Sequence, residues 1–374
     1  MTFAPTEEQR QLQQLVRKFC AAKSPITEVR RLMDTEDGFD PAVWHQLGSE
    51  LGLQSLAIPE RFGGAGFSLV ELCLAMEEMG RALLCAPFLS SIVLGANAIL
   101  VGGTEENRER LLPAIASGEI RAALAFAERT DAWAPYDTAT EAAADGARYR
   151  LHGAKTLVVD GHTAHVIIVS ARRPGTGALS LFTVDASDAQ SLHRKSLPTL
   201  DQTRKLAELH FEGTPAQLLG GPDDDGAAAL QLTLQQAAVC LAAEQLGGAA
   251  HCLDASVEYA QIRTQFGRPI GSFQAIKHRC ADMLLDVESA RSAAYYAMAS
   301  IVDDTDVALA SSLAHAYCSE VFSRSAGAML QIHGGVGYTW EHDTHLYLKR
   351  AKASEALLGG VEYHREVVAA SMNL

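Results

Sequence analysis

Apolar residues recur at spacings of three and four from Thr6 to about residue 116, as in Leu12, Leu15, Val16 and Phe19, and this predicts amphipathic helices. Thr6 followed three residues later by Gln9 has the form of a capping box, so the first helix is expected to start there. Breaks at PERFGGAGF (59–67) and VGGT (101–104) divide the stretch into four to six helices. From about Arg121 to Leu219 the spacing falls toward two. Short runs such as LAFA (124–127), VIIVSA (166–171) and LSLFTV (179–184), separated by Gly, Pro and Asp, predict a small antiparallel, β-barrel-like domain. The acidic stretch GGPDDDG (220–226) reads as a loop feeding a helix. Helical spacing then persists to the end, over residues 227–261, 272–302, 306–333 and 343–373, lengths that suit an antiparallel four-helix bundle.

The expected fold class is therefore α+β, mainly α. It has an N-terminal helical domain (1–118), a middle antiparallel β domain (119–221) and a C-terminal four-helix bundle (222–374). Helices enclosing strands on both sides are not the alternating order of a Rossmann chain, and 374 residues exceed what one core usually serves.

Composition changes this picture only by exclusion. Charged residues make up 20% and apolar residues 48%, and no run reaches the roughly 18 uncharged apolar residues of a membrane helix. A formal charge of −14 argues against wrapping nucleic acid, whose binding needs clustered Lys and Arg. The first residues carry no apolar run behind a basic start, so a cytoplasmic location is expected. The 7 cysteines lack CxxC spacing and read as reduced core residues, with no metal role.

Chemistry concentrates in two stretches, IRTQFGRPIGSFQAIKHR (262–279) and QIHGGVGYTWEHD (331–343). Arg263 and Phe266, three apart at a helix end, would share a face. Such a guanidinium can clamp a pyrophosphate, or simply cap the helix ahead of Gly267. Gly334, Gly335 and Gly337 lack Cβ atoms, so their backbone can approach an anion closely, although a helix C-cap has the same composition. His333 reads either as a further contact at this loop or as a core histidine, and His342, between two carboxylates, reads as a solvated or helix-capping residue ahead of a titrating group with a raised pKa.

Together with RLHGAKTLVVDGHTAHVIIVSAR (150–172), these stretches resemble the acyl-CoA dehydrogenase family, over essentially the whole chain. The resemblance implies FAD and an acyl-CoA substrate: a carboxylate takes the α-proton, the β-hydride goes to flavin N5, and the electrons pass on to a transfer protein. It further implies that Arg263 meets the FAD pyrophosphate across a subunit interface, that Phe266 and Gln274 contact the nucleotide, and that Gln331, Gly334, Gly335 and Gly337 form the loop receiving the diphosphate.

The family's catalytic positions are not filled. The usual glutamate falls on Leu358, and the alternative site, early on the first bundle helix, falls on Ala237. Glu244 lies seven residues beyond Ala237 on the same face and is the candidate for a shifted base; an ion pair with an arginine is the other reading. Glu355 and Glu362 flank Leu358 and are expected at the surface. In the strand domain, the family's Thr-Glu-Pro run, flavin-side Trp and flavin-side hydroxyl fall on AlaGluArg (127–129), Leu157 and Val159.

This one-sided loss is the pattern expected of the supporting chain in a heterotetrameric bacterial acyl-CoA dehydrogenase of the kind that acts on bulky acyl groups such as steroid side chains. A self-sufficient homo-oligomer using Glu244, and a flavin-free structural subunit, are the alternatives.

Overall fold

The computed structural model describes residues 4–128, 133–146, 148–187 and 190–374. Its first helix, α1 (Glu7–Lys23), starts at the predicted capping box: the Thr6 hydroxyl accepts the Gln9 amide and the Gln9 side chain accepts the Thr6 amide. There follow α2 (Ile26–Met33), α3 (Pro41–Ser49), α4 (Leu69–Arg81), α5 (Asn97–Gly102) and α6 (Glu105–Ala116), with a π-helical turn at Leu89–Ala96 leading into α5. The strands are β1 (Ala122–Ala125), β2 (Glu141–Asp145), β3 (Arg148–Val159), β4 (Val166–Arg172), β5 (Leu179–Asp185), β6 (Leu192–Leu197) and β7 (Leu206–Leu218). The remaining helices are α7 (Gly226–Ile262), α8 (Gln274–Val302), α9 (Val307–His333), α10 (Thr344–Ala356) and α11 (Val361–Ser371), with a two-stranded hairpin, β8 (Thr264–Gln265) and β9 (Arg268–Pro269), before α8.

Contacts gather these elements into two units, each drawn from several stretches of chain. One comprises Met1–Arg31, Leu69–Leu84 and Ala238–Leu374; the other comprises Leu32–Ser68 and Cys85–Ala237. Residues 118 and 221 thus mark where the apolar period changes rather than where the units divide.

In the helical unit, α4 and α7 meet almost backbone to backbone. A Cβ on Gly80 would lie 2.0 Å from the Glu244 carbonyl oxygen, and one on Gly247 would lie 1.7 Å from that of Glu77. Small residues at a crossing allow this approach, and the cost is that the neighbouring charges must be satisfied laterally. Glu77 accepts from Arg291 and from the Tyr295 hydroxyl, while Arg17 grips Glu78 with two nitrogens at 2.7 and 2.9 Å. Helix α7 is long and apolar enough to cross a membrane by composition alone. Its apolar window is 61% buried, however, as suits a core helix.

The strand unit is built around Ile167, Val169, Phe182, Val184, Leu209 and Phe211. The pairings β2–β3, β3–β7, β7–β5, β5–β4 and β4–β2 return to their starting strand. They are antiparallel except β4–β2, and β1 also lies parallel to β4, which corrects the all-antiparallel expectation. A register shift between Lys155 and Val158 puts Leu157 at φ +54° in a bulge of β3.

Candidate active site

Three of the four predicted bundle segments run as expected, but the fourth is broken. Helix α10 ends at Ala356 and α11 starts at Val361, because Leu358 and Gly359 take left-handed backbone angles of +61° and +103° ahead of Gly360. Leu358 turns inward and is 4% exposed. Its carbonyl accepts from His364 Nε2 at 3.1 Å, and the other ring nitrogen of His364 sits 3.1 Å from the Ser312 hydroxyl. Burial pulls the His364 imidazole down to about 4. At the first base position there is thus a greasy side chain on a fastened turn.

None of the other candidate positions combines a carboxylate free of ion pairs with burial. Ala237 is wholly buried. Glu244 is buried too, and accepts from Arg350, itself buried, at 3.0 Å. The ion-pair reading of Glu244 is the geometry observed. Glu355 accepts from Ser323 and Lys352, and Glu362 is exposed.

The residues read as nucleotide contacts behave oppositely. Every residue from Gln261 to Pro269 is exposed, and Phe266 is 92% exposed. Arg263 and Phe266 do not share a helix face. Helix α7 stops at Ile262, and Phe266 and Gly267, with φ of +52° and +76°, form the two-residue tip of the β8–β9 hairpin. Two successive positive φ values give the turn whose twist matches a hairpin, and Gly267 makes it accessible. The Arg263 side chain has no carboxylate partner among the described residues, and Gln274, at the start of α8, is exposed.

The glycine loop lies at the same end of the helical unit. Tyr259, one turn before Arg263, stacks on His333 with ring centroids 4.1 Å apart, and Gly334–Tyr338 follows as a single 3-10 turn. Gly334, at φ +63°, and Gly335 have nothing within 4 Å of where a Cβ would stand. Gly337 differs from the expectation. It is buried, and a Cβ there would strike the Leu330 carbonyl at 2.7 Å, so packing of the turn already requires glycine at this position. Gln331 is exposed and accepts from the Tyr338 hydroxyl at 3.1 Å. His333 is a core histidine that bonds the Met329 carbonyl. The segment after the loop is pinned by Arg30, which donates to Asp343 and to the Trp340 and His342 carbonyls. An open backbone beside a free guanidinium suits a diphosphate.

In the strand unit, Val159 is buried without a polar atom to offer, and Arg129 lies outside the described residues. Glu128 is the organising residue there, and sequence reasoning missed its role. It accepts from Lys155 at 2.7 Å, from the Thr138 and Thr140 hydroxyls and from two backbone amides. Burial raises its carboxyl, but these bonds outweigh that and bring it down to about 2. Lys155 is wholly buried and also donates to Thr138 and Ser170. The signal was present: strand alternation places Lys155 on the inward face it shares with Leu151.

Comparison with known proteins decides what this arrangement belongs to. The acyl-CoA dehydrogenase N-terminal domain model matches residues 6–119 and the acyl-CoA dehydrogenase C-terminal domain model matches residues 224–373.

The chain belongs to the acyl-CoA dehydrogenase family.

It is similar to acyl-CoA dehydrogenase IpdE2 of Mycolicibacterium smegmatis, with 34% identity over 95% of both chains. Among solved structures it resembles the Tcur3481–Tcur3483 steroid ACAD, with 32% identity, 98% of each chain covered and a TM-score of 0.88. It also resembles the ChsE4–ChsE5 complex from Mycobacterium tuberculosis, with 29% identity, 100% and 99% covered and a TM-score of 0.90. As an acyl-CoA dehydrogenase it is an FAD-dependent oxidoreductase of acyl-CoA thioesters. The exposed Arg263, Phe266 and Gln274, with the open backbone at Gly334 and Gly335, fit the phosphate end of that dinucleotide. The base positions do not fit the proton transfer that the chemistry needs.

Proposed function

We propose that this chain is the supporting subunit of a heteromeric acyl-CoA dehydrogenase, holding the diphosphate and adenosine of FAD for a partner chain that supplies the ring pocket and the base. FAD held there would supply the acceptor for the hydride leaving the β-carbon of the thioester. This chain's own residues only bind and orient: Arg263 pairs with the phosphates, Phe266 covers the nucleotide, Gln274 and Gln331 offer amides, and Gly334 and Gly335 admit the anion.

The observation that carries this reading is the pairing of a retained surface half-site with base positions occupied by Leu358, Ala237 and a neutralised Glu244. Without a base the α-proton stays on a weakly acidic carbon, and a positioned base is worth roughly 10²–10⁴-fold. The similarity to two structures named for pairs of chains supports the heteromer, and the steroid ACAD among them supports a bulky, steroid-derived acyl group as substrate.

The test is expression alone and with candidate partner chains of the same family, read by native mass and flavin absorbance. A mixed complex that holds flavin and is bleached by acyl-CoA, where this chain alone is not, is the expected result. A homogeneous preparation of this chain carrying one FAD per subunit and reduced by an acyl-CoA would defeat it.

A further inference from the structure

The strand unit carries a second polar cleft, of about 520 Å³, walled by Asp37 and by the loops around Arg121, His162–His165, Asp185 and Arg194. That volume is in the range of small-molecule sites. Its hydrogen-bonding groups are unbalanced. The Arg121 amide donates to His165 Nδ1 at 3.0 Å, which leaves the neutral ring's proton on Nε2. That N–H faces an Arg121 terminal nitrogen 3.4 Å away, which itself donates to the Thr163 carbonyl at 2.9 Å, so two donors converge and the imidazole one has no acceptor among the described residues. Arg121 Nε is buried and lacks an acceptor among the described residues. Arg194 makes one hydrogen bond, to the Ala164 carbonyl at 2.9 Å, and no ion pair among the described residues.

The cleft's carboxylates relieve this excess only in part: Asp37, with Asp160, favours charged Arg121 and Asp185 favours charged His165, but no ion pair between Asp37 or Asp185 and these groups forms among the described residues. Asp185 is occupied by the Ser187 amide and hydroxyl at 2.9 and 2.7 Å, and Asp37 is exposed. Burial, seconded by the two guanidinium groups, pulls the His165 imidazole down, so the ring presents a neutral N–H at pH 7. One group has the opposite need. His162 Nε2 donates to the Glu36 carbonyl at 2.9 Å, which leaves Nδ1 as a buried acceptor with no donor.

A wall rich in donors, with Arg121 Nε lacking an acceptor among the described residues, beside one acceptor without a donor, suits a ligand with both an oxyanion and a hydroxyl. We propose that this cleft binds a small hydroxylated phosphate ester, its phosphate held by Arg121, Arg194 and His165 and its hydroxyl donating to His162 Nδ1. Guanidinium groups match phosphate oxygens in geometry, and the two aspartates near the rim leave the cleft close to neutral, so donor placement rather than net field selects the ligand.

The probe is glycerol 3-phosphate, titrated into the full-length protein at constant ionic strength and followed by thermal melting, with chloride as the reference. A saturable rise in Tm is expected. Arg194→Ala, a change to an exposed side chain, should weaken the apparent Kd at least tenfold, and Arg263→Ala should leave it unchanged. His162→Phe should remove the preference for glycerol 3-phosphate over inorganic phosphate. The proposal is overturned if the rise does not exceed that in chloride, if it persists in Arg194→Ala, or if it vanishes in Arg263→Ala, which would put the anion at the nucleotide end instead.

Discussion

Glu244 and Arg350 face each other at 3.0 Å, both buried, from helices α7 and α10. A base needs a free lone pair and a path to its substrate, and this carboxylate is instead held by a cation that would be costly to leave alone. Glu244→Gln in the assembled enzyme should therefore lower Tm while changing kcat by less than about threefold. Removal of a true base costs roughly 10²–10⁴-fold. Steady-state kinetics beside a melting curve separates the two outcomes, and a kcat loss in that larger range would reinstate Glu244 as the base.

The Arg263 side chain is exposed and has no carboxylate partner among the described residues, so its removal leaves the packing intact. A charge-assisted hydrogen bond is worth about 1.5–3 kcal/mol, and Arg263→Ala should weaken flavin retention by the complex roughly 10- to 150-fold with no change in the Tm of the flavin-free chain. Fluorescence of released flavin on dilution reads the first quantity. Unchanged retention would remove the arginine from the nucleotide site.

Glu128 supplies a pH dependence. Its carboxyl ionises near 2 in the folded chain against 4.5 in an ordinary setting, so the folded state holds fewer protons between those values. The associated stability is complete above about pH 4.5 and is lost as pH falls toward 2. Denaturant melts across that window should show the slope in the wild type and a flatter line in Glu128→Gln. Lys155→Met, which leaves the half-buried Glu128 carboxylate without its cation, should lower stability, and adding Glu128→Gln should recover part of that loss.

Gly247 and Gly80 let α4 and α7 touch. Gly247→Ala places a methyl group 1.7 Å from the Glu77 carbonyl oxygen, a contact that only backbone movement can relieve. Overpacking of this kind costs about 1–3 kcal/mol or more, and the shift would also disturb the Glu77–Arg291 pair. A Gly247→Ala protein as stable as the wild type in urea would show that the helices are less tightly apposed.

The sequence carried the long elements well because their signals are local. The apolar period alone placed α8 and α9 to within two residues, and the capping box marked the start of α1. It misjudged Arg263 and Phe266, since a helical spacing of three means nothing once Gly267 and Pro269 turn the chain into a hairpin. It also ran one helix through Leu358, where Gly359 and Gly360 in fact break it. The Glu244–Arg350 pair joins positions 106 residues apart, and no local pattern could say which arginine would arrive. Gly337 shows the same limit: its composition matches its neighbours, but only the Leu330 carbonyl above it reveals a packing task.

Phe266, 92% exposed at a hairpin tip, has a last consequence. Because the side chains that would grip the nucleotide stand outside the core, altering them costs the folding reaction almost nothing. Those side chains can therefore change without disturbing the packing, whereas the base positions Leu358 and Ala237 are part of it.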